Sequence, residues 1–347
     1  VDEAHHARGN HSYCRIIQKI AEVTKFFRVI ALTATPGSSF EDIQQVIYNL
    51  MISNIQVRTY KDCSKYTHSK DIQYVVVPNA PGVEELSARL NSILQEYLRI
   101  LLQESLVSTM DPTRTSKGVI AQLIKRSRDL SSSANCAIIQ SIKLLNLREK
   151  LENYSIPVFT RELEEMLLKR DNKITNDETV TTTYEQLHHL LNAARKNSQE
   201  DPKMKKLSEV VINFFDSSSA ASKAIVFCSY RDIVHDIVNF LKKVAPSIKA
   251  VEFIGQASSD KSHGLNQSKQ LRVMEAFRKG IYNVLVSTSI GEEGLDIGEV
   301  DLIVFYDIQK SPTRTIQRMG RTGRHQDGSV VILLSEASKH LANKAEN

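Results

Sequence analysis

Hydrophobic positions along this chain change their spacing twice, and the changes divide it into three stretches. Between residues 81 and 201 they recur at intervals of three and four. Leu86, Leu90, Ile93, Leu94, Tyr97 and Leu98 form one stripe, residues 137–151 and 163–167 continue it, and Tyr184, Leu187, Leu191 and Ala194 form another. That spacing sets each group on a single helix face. Helices with such stripes bury them against one another, so this stretch is predicted to be all-helical, with the polar, Thr- and Asn-rich segment 171–183 as a loop. Over residues 202–347 short continuous apolar runs take over, at 224–228, 250–254, 284–287, 302–306 and 330–334. Helical patterns at 204–215, 233–244, 269–279 and 313–319 separate or precede them. Runs of this length predict strands covered on both faces in a doubly wound parallel sheet. Residues 1–80 carry a shorter version of the same pattern. A strand predicted over 28–32 ends at the turn signal Pro36-Gly37, a helix is predicted over 40–51, and Tyr74-Val75-Val76-Val77 reads as another strand. The fold class is therefore α/β, with an all-helical insert between two α/β stretches.

Composition narrows the function classes. At 347 residues the chain is long enough for two or three cores. It contains no run of eighteen apolar residues, which excludes an apolar helical membrane span. Four cysteines (Cys14, Cys63, Cys136, Cys228) are scattered without a Cys-x-x-Cys pair, which suits a reducing compartment and argues against a disulfide framework or a cysteine-zinc site. The net charge of +5 is a thin excess that permits a nucleic-acid partner without demanding one. With 6% aromatics and no Trp, no stacking platform for single-stranded bases is evident. His5, His6 and His11 lack a second ligand cluster, and Lys117, Lys125, Arg126 and Arg128 read as a solvated helix face. No charged-then-apolar leader precedes the first acidic residues, and a chain opening on Val1 reads as starting inside a strand.

The chemistry-bearing residues lie near the two ends. Adjacent carboxylates at Asp2 and Glu3 suit one group holding Mg²⁺ through water and the other orienting or deprotonating an attacking water. A helix-capping acidic pair is the plainer alternative. Thr33-Ala34-Thr35 places two hydroxyls after the 28–32 run, where they can relay hydrogen bonds, although Thr-x-Thr before Pro is also an ordinary turn. Ser287-Thr288, with Gly291, Gly294 and Asp296 beyond, follows another apolar run. Small hydroxyl residues there suit a nucleic-acid phosphate, the glycines allow close backbone approach, and Asp296 suits a ribose hydroxyl. Arg321 and Arg324, each directly after a glycine (Gly320 and Gly323), offer planar guanidinium groups for bidentate phosphate contact.

Taken in order, these segments resemble the motifs of superfamily 2 helicases. Asp2-Glu3-Ala4-His5 is similar to the DEAH box, Thr33–Thr35 to motif III, Ile225-Val226-Phe227-Cys228 to motif IV, 286–297 to motif V, and Gln317-Arg318-Met319-Gly320-Arg321-Thr322-Gly323-Arg324 to motif VI. Ala34-Thr35-Pro36-Gly37-Ser38, the stretch 291–302 and Gln309-Lys310-Ser311-Pro312 narrow the resemblance to the Fanconi anaemia group M helicases and their fungal and archaeal (Hef) relatives. The resemblance implies two RecA-like parallel-sheet lobes, the first truncated (1–80) and the second at 202–347, with the helical insert (81–201) between them. It further implies an ATP- and Mg²⁺-dependent translocase on branched DNA, such as forks, D-loops and Holliday junctions, in a nuclear repair complex.

Carried over residue by residue, the resemblance makes Glu3 the catalytic base and Asp2 the Mg²⁺ partner. Arg321 and Arg324 contact the γ-phosphate, and Gln317 couples the lobes. His5, Thr33, Thr35, Gly294 and Asp296 border the nucleotide, while Ser229, Gly255, Gln256, Ser287 and Thr288 lie near the nucleic-acid backbone. One departure stands out. The chain contains no Gly-Lys dipeptide and hence no Gly-x-x-x-x-Gly-Lys-Ser/Thr loop. That loop is expected upstream of Val1, and residues 1–347 alone are not expected to hydrolyse ATP. Two rivals remain open: a double-stranded-RNA helicase of the sensor or Dicer type, and a non-catalytic DNA-binding scaffold.

Overall fold

The structure is a computed structural model that describes residues 1–347 except 38, 60–61, 63–65, 67, 126–129, 170–177, 198–200, 256–266, 289–296, 308–317, 324–326 and 341–347. Its centre is a six-stranded, wholly parallel sheet of β1 (Lys70–Val77), β2 (Ala224–Phe227), β3 (Ala250–Phe253), β4 (Val284–Ser287), β5 (Leu302–Phe305) and β6 (Gly328–Ser335), in the order β1-β6-β5-β2-β4-β3. The order reverses at β2, as expected of a doubly wound sheet, and crevices for ligands form at the carboxyl ends of strands around such a point.

Period-two alternation decides what each face buries. Ala224 and Val226 point to one side, where Leu207 and Val211 of α8 (Pro202–Ser217) and Ile237 and Leu241 of α9 (Arg231–Val244) cover them. Ile225 and Phe227 point to the other, against Met274 and Phe277 of α10 (Gln267–Arg278). With both faces covered, the strands are apolar without a break, which is why they stood out in the sequence. α8 starts where its caps dictate: the Asp201 side chain accepts from Met204 N–H at 2.9 Å, and Pro202 occupies the first turn.

The expected helical insert is present as α3 (Val83–Gln103), α4 (Lys117–Leu123), α5 (Ser132–Asn153), α6 (Ile156–Leu168) and α7 (Glu178–Lys196). Its core joins Leu90, Leu94 and Leu98 to Leu144, Leu151 and Leu187. The loop expected over 171–183 is corrected in part. Residues 171–177 lie outside the described residues, but 178–183 form the first turns of α7. Weak helix propensity of the Thr run is overridden by packing: Val180 and Thr183 are buried, and Thr183 Oγ1 accepts from the Tyr97 hydroxyl at 2.8 Å.

Residues 1–59 hold α1 (Ser12–Val23) and α2 (Phe40–Asn49) around a small core of Ala4, Ala7, Cys14, Ile17, Val46 and Leu50. The strand expected at 28–32 is not a regular one. Residues 30–32 are extended beside residues 1–4, sharing three backbone hydrogen bonds: Val1 N to Ile30 O (2.7 Å), Leu32 N to Val1 O (2.9 Å) and Ala4 N to Leu32 O (2.9 Å). Glu3, at φ +48°, breaks the register that a continuing ladder would need.

β1 brings a further difference. The Tyr74–Val77 run is a strand, but it pairs in parallel with β6, Lys70 opposite Gly328 through Val77 opposite Ser335. A strand assigned by sequence to the 1–80 stretch thus forms the outer edge of the sheet built from 202–347. The helix expected at 313–319 falls mostly outside the described residues. No helix among the described residues is long and apolar enough to cross a membrane.

Candidate functional site

Glu3 occupies the left-handed region (φ +48°, ψ 49°), a conformation that costs a non-glycine residue about 1–2 kcal/mol. The kink starts a short 3₁₀ turn, Ala4–His6, which buries Ala4 and His5 under the small core. His5 Nδ1 then lies 3.1 Å from Thr33 Oγ1 and 3.4 Å from Glu3 Oε2. Thr33 Oγ1 in turn donates to Thr35 O at 3.2 Å and accepts from Thr35 N–H at 3.3 Å. With that hydroxyl proton spent on Thr35 O, the network closes when His5 carries its proton on Nδ1, facing both Thr33 Oγ1 and the Glu3 carboxylate. His5, Thr33 and Thr35 are therefore one hydrogen-bonded group, with the Glu3 carboxylate beside it.

Asp2 is exposed, and its Oδ1 accepts from Glu3 N–H at 2.9 Å. The turn is pinned from behind by Arg8, which bonds His5 O through Nε (3.2 Å) and Asp42 Oδ1 through Nη1 (2.5 Å), and by Asn49 Nδ2 on Ala7 O (2.9 Å). Two accessible carboxylates are a hard-oxygen donor set of the kind Mg²⁺ takes. In the same group as His5 and Thr33, Thr35 Oγ1 is buried with no hydrogen-bond partner among the described residues. Both observations fit a bound metal–nucleotide.

The second group of residues sits on the carboxyl edge of the sheet, over separate cores. Ser287 ends β4. It is fully buried, and its hydroxyl donates to Thr288 O at 2.9 Å. Thr288 is also buried, and its N–H reaches Phe253 O at 3.4 Å. Gly255 follows β3 and is buried. Ser229 follows β2, and both its N–H (2.8 Å) and its hydroxyl donate to the carboxylate of Asp307, two residues past β5.

Arg321 is half-buried in a turn fixed by its own backbone, its N–H on Arg318 O (3.1 Å) and its carbonyl accepting from Val300 N–H (3.1 Å). Gly323 is required by its backbone, and a side chain there would also displace the end of Lys70. Its φ is +73°, and a Cβ there would stand 2.8 Å from Lys70 Cε at the entrance to β1. Its carbonyl accepts from His68 N–H at 3.0 Å, while Ser69 N–H donates to Asp327 Oδ1 at 3.0 Å. Those bonds from Ser69, with His68 nearby, hold the Asp327 carboxyl below its usual range. The arginine-bearing turn is thereby clasped by the chain leading into β1. Gln256, Gly294, Asp296, Gln317 and Arg324 lie outside the described residues.

Several residues of this region have surroundings that the sequence did not disclose. Arg318 is 1% exposed, with its guanidinium 4.6 Å from the Phe227 ring centre and 6.0 Å from that of Phe305, a buried cation held on aromatic faces. Lys203, on the first turn of α8, is 4% exposed and donates to Asn153 O at 2.7 Å. Burial pushes its ammonium down to about 8, against the pull of Asp307. Burial likewise raises the Cys228 thiol and the Tyr154 and Tyr306 hydroxyls.

Residues 202–326 match the helicase conserved C-terminal domain. The chain is 36% identical over 98% of its length to the ATP-dependent DNA helicase mph1 of Neurospora crassa, of which it spans 31%. It is 34% identical over 97% of its length to the Fanconi anemia group M protein homolog of Mus musculus, of which it spans 19%. The chain therefore covers between about a third and a fifth of these relatives. Among solved structures, the helicase domain of Pyrococcus furiosus Hef aligns over 100% of this chain and 72% of its own, with a TM-score of 0.68 and 33% identity.

Proposed function

The chain belongs to the Fanconi anaemia group M, Mph1 and Hef family of helicases, and from that premise we propose that the full-length protein is an ATP-dependent DNA helicase or translocase acting on branched DNA in repair. Forks, D-loops and Holliday junctions are the substrates proposed, the nucleus the compartment, and subunits of a repair complex the partners. The observation that carries this reading is the strained Glu3 turn, where a carboxylate is held beside a His5–Thr33–Thr35 relay. A backbone cost of this kind persists where geometry serves chemistry.

In that role Glu3 accepts the proton of the attacking water, and the Nδ1–H of His5 orients its carboxylate. Asp2 would hold Mg²⁺. When bound, Mg·ATP supplies the phosphoanhydride and the charge neutralisation at its phosphates. Arg321 and Arg324 donate to the γ-phosphate, and Gln317 couples that contact to the other lobe. Asp296 accepts from the ribose, with Gly294 allowing close backbone approach. Thr288, Gly255 and Gln256 border the nucleic-acid backbone. Ser287 and Ser229, whose hydroxyls are spent on Thr288 O and Asp307, shape that border from beneath.

The test is ATP turnover by the full-length protein with forked DNA, linear duplex DNA and duplex RNA. Forked DNA is expected to stimulate most. Stronger stimulation by duplex RNA would transfer the protein to the RNA-helicase class, and binding of DNA without any turnover would make it a scaffold. Residues 1–347, which contain no Gly-Lys phosphate loop, are expected to show no measurable turnover by themselves.

A further inference from the structure

The helical insert meets the sheet at the two-residue link between α5 and α6, Tyr154-Ser155. Tyr154 is 7% exposed, and its hydroxyl donates to Asp307 Oδ2 at 2.9 Å. Asp307, 6% exposed, is the same carboxylate that takes the N–H and hydroxyl of Ser229. Three donors therefore converge on one buried carboxylate, one from the insert and two from the turn after β2. The next residue of that turn is held from the insert as well. Tyr230 donates its hydroxyl to Glu149 Oε1 at 3.1 Å, the ammonium of Lys150 lies 2.8 Å from the centre of its ring, and the Tyr154 ring meets it edge-on at 5.3 Å.

A buried carboxylate is tolerated only when its hydrogen bonds are complete, and replacing such a group by apolar side chains is commonly neutral or stabilising. Packing alone therefore gives no reason to place it here. Its position does. Asp307 and Ser229 leave the adjacent strands β5 and β2, on either side of the point where the strand order reverses.

We propose that Tyr154 is a positioning residue: through Asp307 it fixes the Ser229–Tyr230 turn, so that the helical insert sets the nucleic-acid border of the second lobe. This rests on the nucleic-acid role proposed above for that edge. The link is direct in space although Tyr154 and Ser229 lie 75 positions apart in the chain.

Tyr154→Phe tests it in the full-length protein, because the ring and its packing stay and only the donor is lost. Expected is a rise of about ten-fold in the forked-DNA concentration giving half-maximal ATP turnover, the scale of one hydrogen bond to a charged group. The rate without DNA and the saturated rate should each stay within about two-fold. Ser229→Ala should raise the same concentration, and the double variant should fall short of the product of the two single effects, because Ser229→Ala keeps the backbone N–H bond to Asp307. Exchange of the Ser229 amide hydrogen should be faster in Tyr154→Phe. An unchanged DNA dependence, an effect that multiplies with Ser229→Ala, or an unchanged exchange rate overturns the proposal. A wild-type protein that DNA does not stimulate overturns the nucleic-acid reading instead, and the exchange measurement then decides the Tyr154–Asp307–Ser229 relay by itself.

Discussion

Lys203→Met should flatten the dependence of stability on pH above neutrality. The ammonium is 4% exposed and faces Asp307, Asp201, Cys228 and the rings of Tyr154 and Tyr306. Burial lowers it from an ordinary 10.5 to about 8 in the folded chain. Below about pH 8 the folded and unfolded chains both carry the proton. Between 8 and 10.5 the unfolded chain retains it more than the folded one, so this group adds stability as pH rises through that window. At about 1.4 kcal/mol for each pH unit, the gap between 10.5 and about 8 amounts to about 3 kcal/mol. Met fills a similar volume and does not titrate. It also loses the bond to Asn153 O, so the offset between the two proteins at pH 7 is not the informative quantity. The informative quantity is its change with pH. Urea unfolding followed by circular dichroism, at steps from pH 7 to 10.5, should show wild type gaining about 3 kcal/mol on the variant. Parallel curves would refute the account of Lys203 as a charge held at a desolvation cost.

Other outcomes follow from the site. Glu3→Gln in the full-length protein should lower ATP turnover by about 10²–10⁴-fold, the range for loss of a general base, with nucleotide binding kept as read by a fluorescent ATP analogue. Arg324→Ala should lower turnover by roughly 10³ or more, and a near-normal rate would remove Arg324 from the γ-phosphate contact. Gly323→Ala should destabilise the chain by about 1–2 kcal/mol through its positive φ. Adding Lys70→Ala, which clears the space for the new methyl, should restore little of that in the same unfolding assay.

How far the sequence disclosed this molecule depended on the range of each interaction. The strands of 202–347 were visible because a sheet covered on both faces needs unbroken apolar runs such as Ile225-Val226-Phe227, and the insert because helix-on-helix packing writes its period into Leu86, Leu90 and Leu94. Val75 and Val76 read as a strand, but nothing local to them names β6 as the partner 258 positions away. The same limit hid Asp307 and Tyr154, since a buried polar pair has no periodicity and a single Asp after an apolar run looks like any loop residue. Glu3 was singled out for its carboxylate, while the left-handed backbone that aims it follows from the contacts of its neighbours. The helix start at 178 was missed because Thr-rich segments are poor helix formers until a partner such as Tyr97 takes up their hydroxyls.

β1 bears on how this protein can be divided. The family match ends at residue 326, whereas β6 begins at Gly328 and is flanked by a strand that arrives from before the insert. A polypeptide trimmed to 202–326 would forfeit two of six strands, leaving the β5 backbone, and with it Ile303 and Phe305, unguarded along one whole rim. Unsatisfied edges of that kind recruit other chains. Autonomous expression of the trimmed piece should therefore yield insoluble material, and soluble material only when residues 70–77 and 328–335 travel with it.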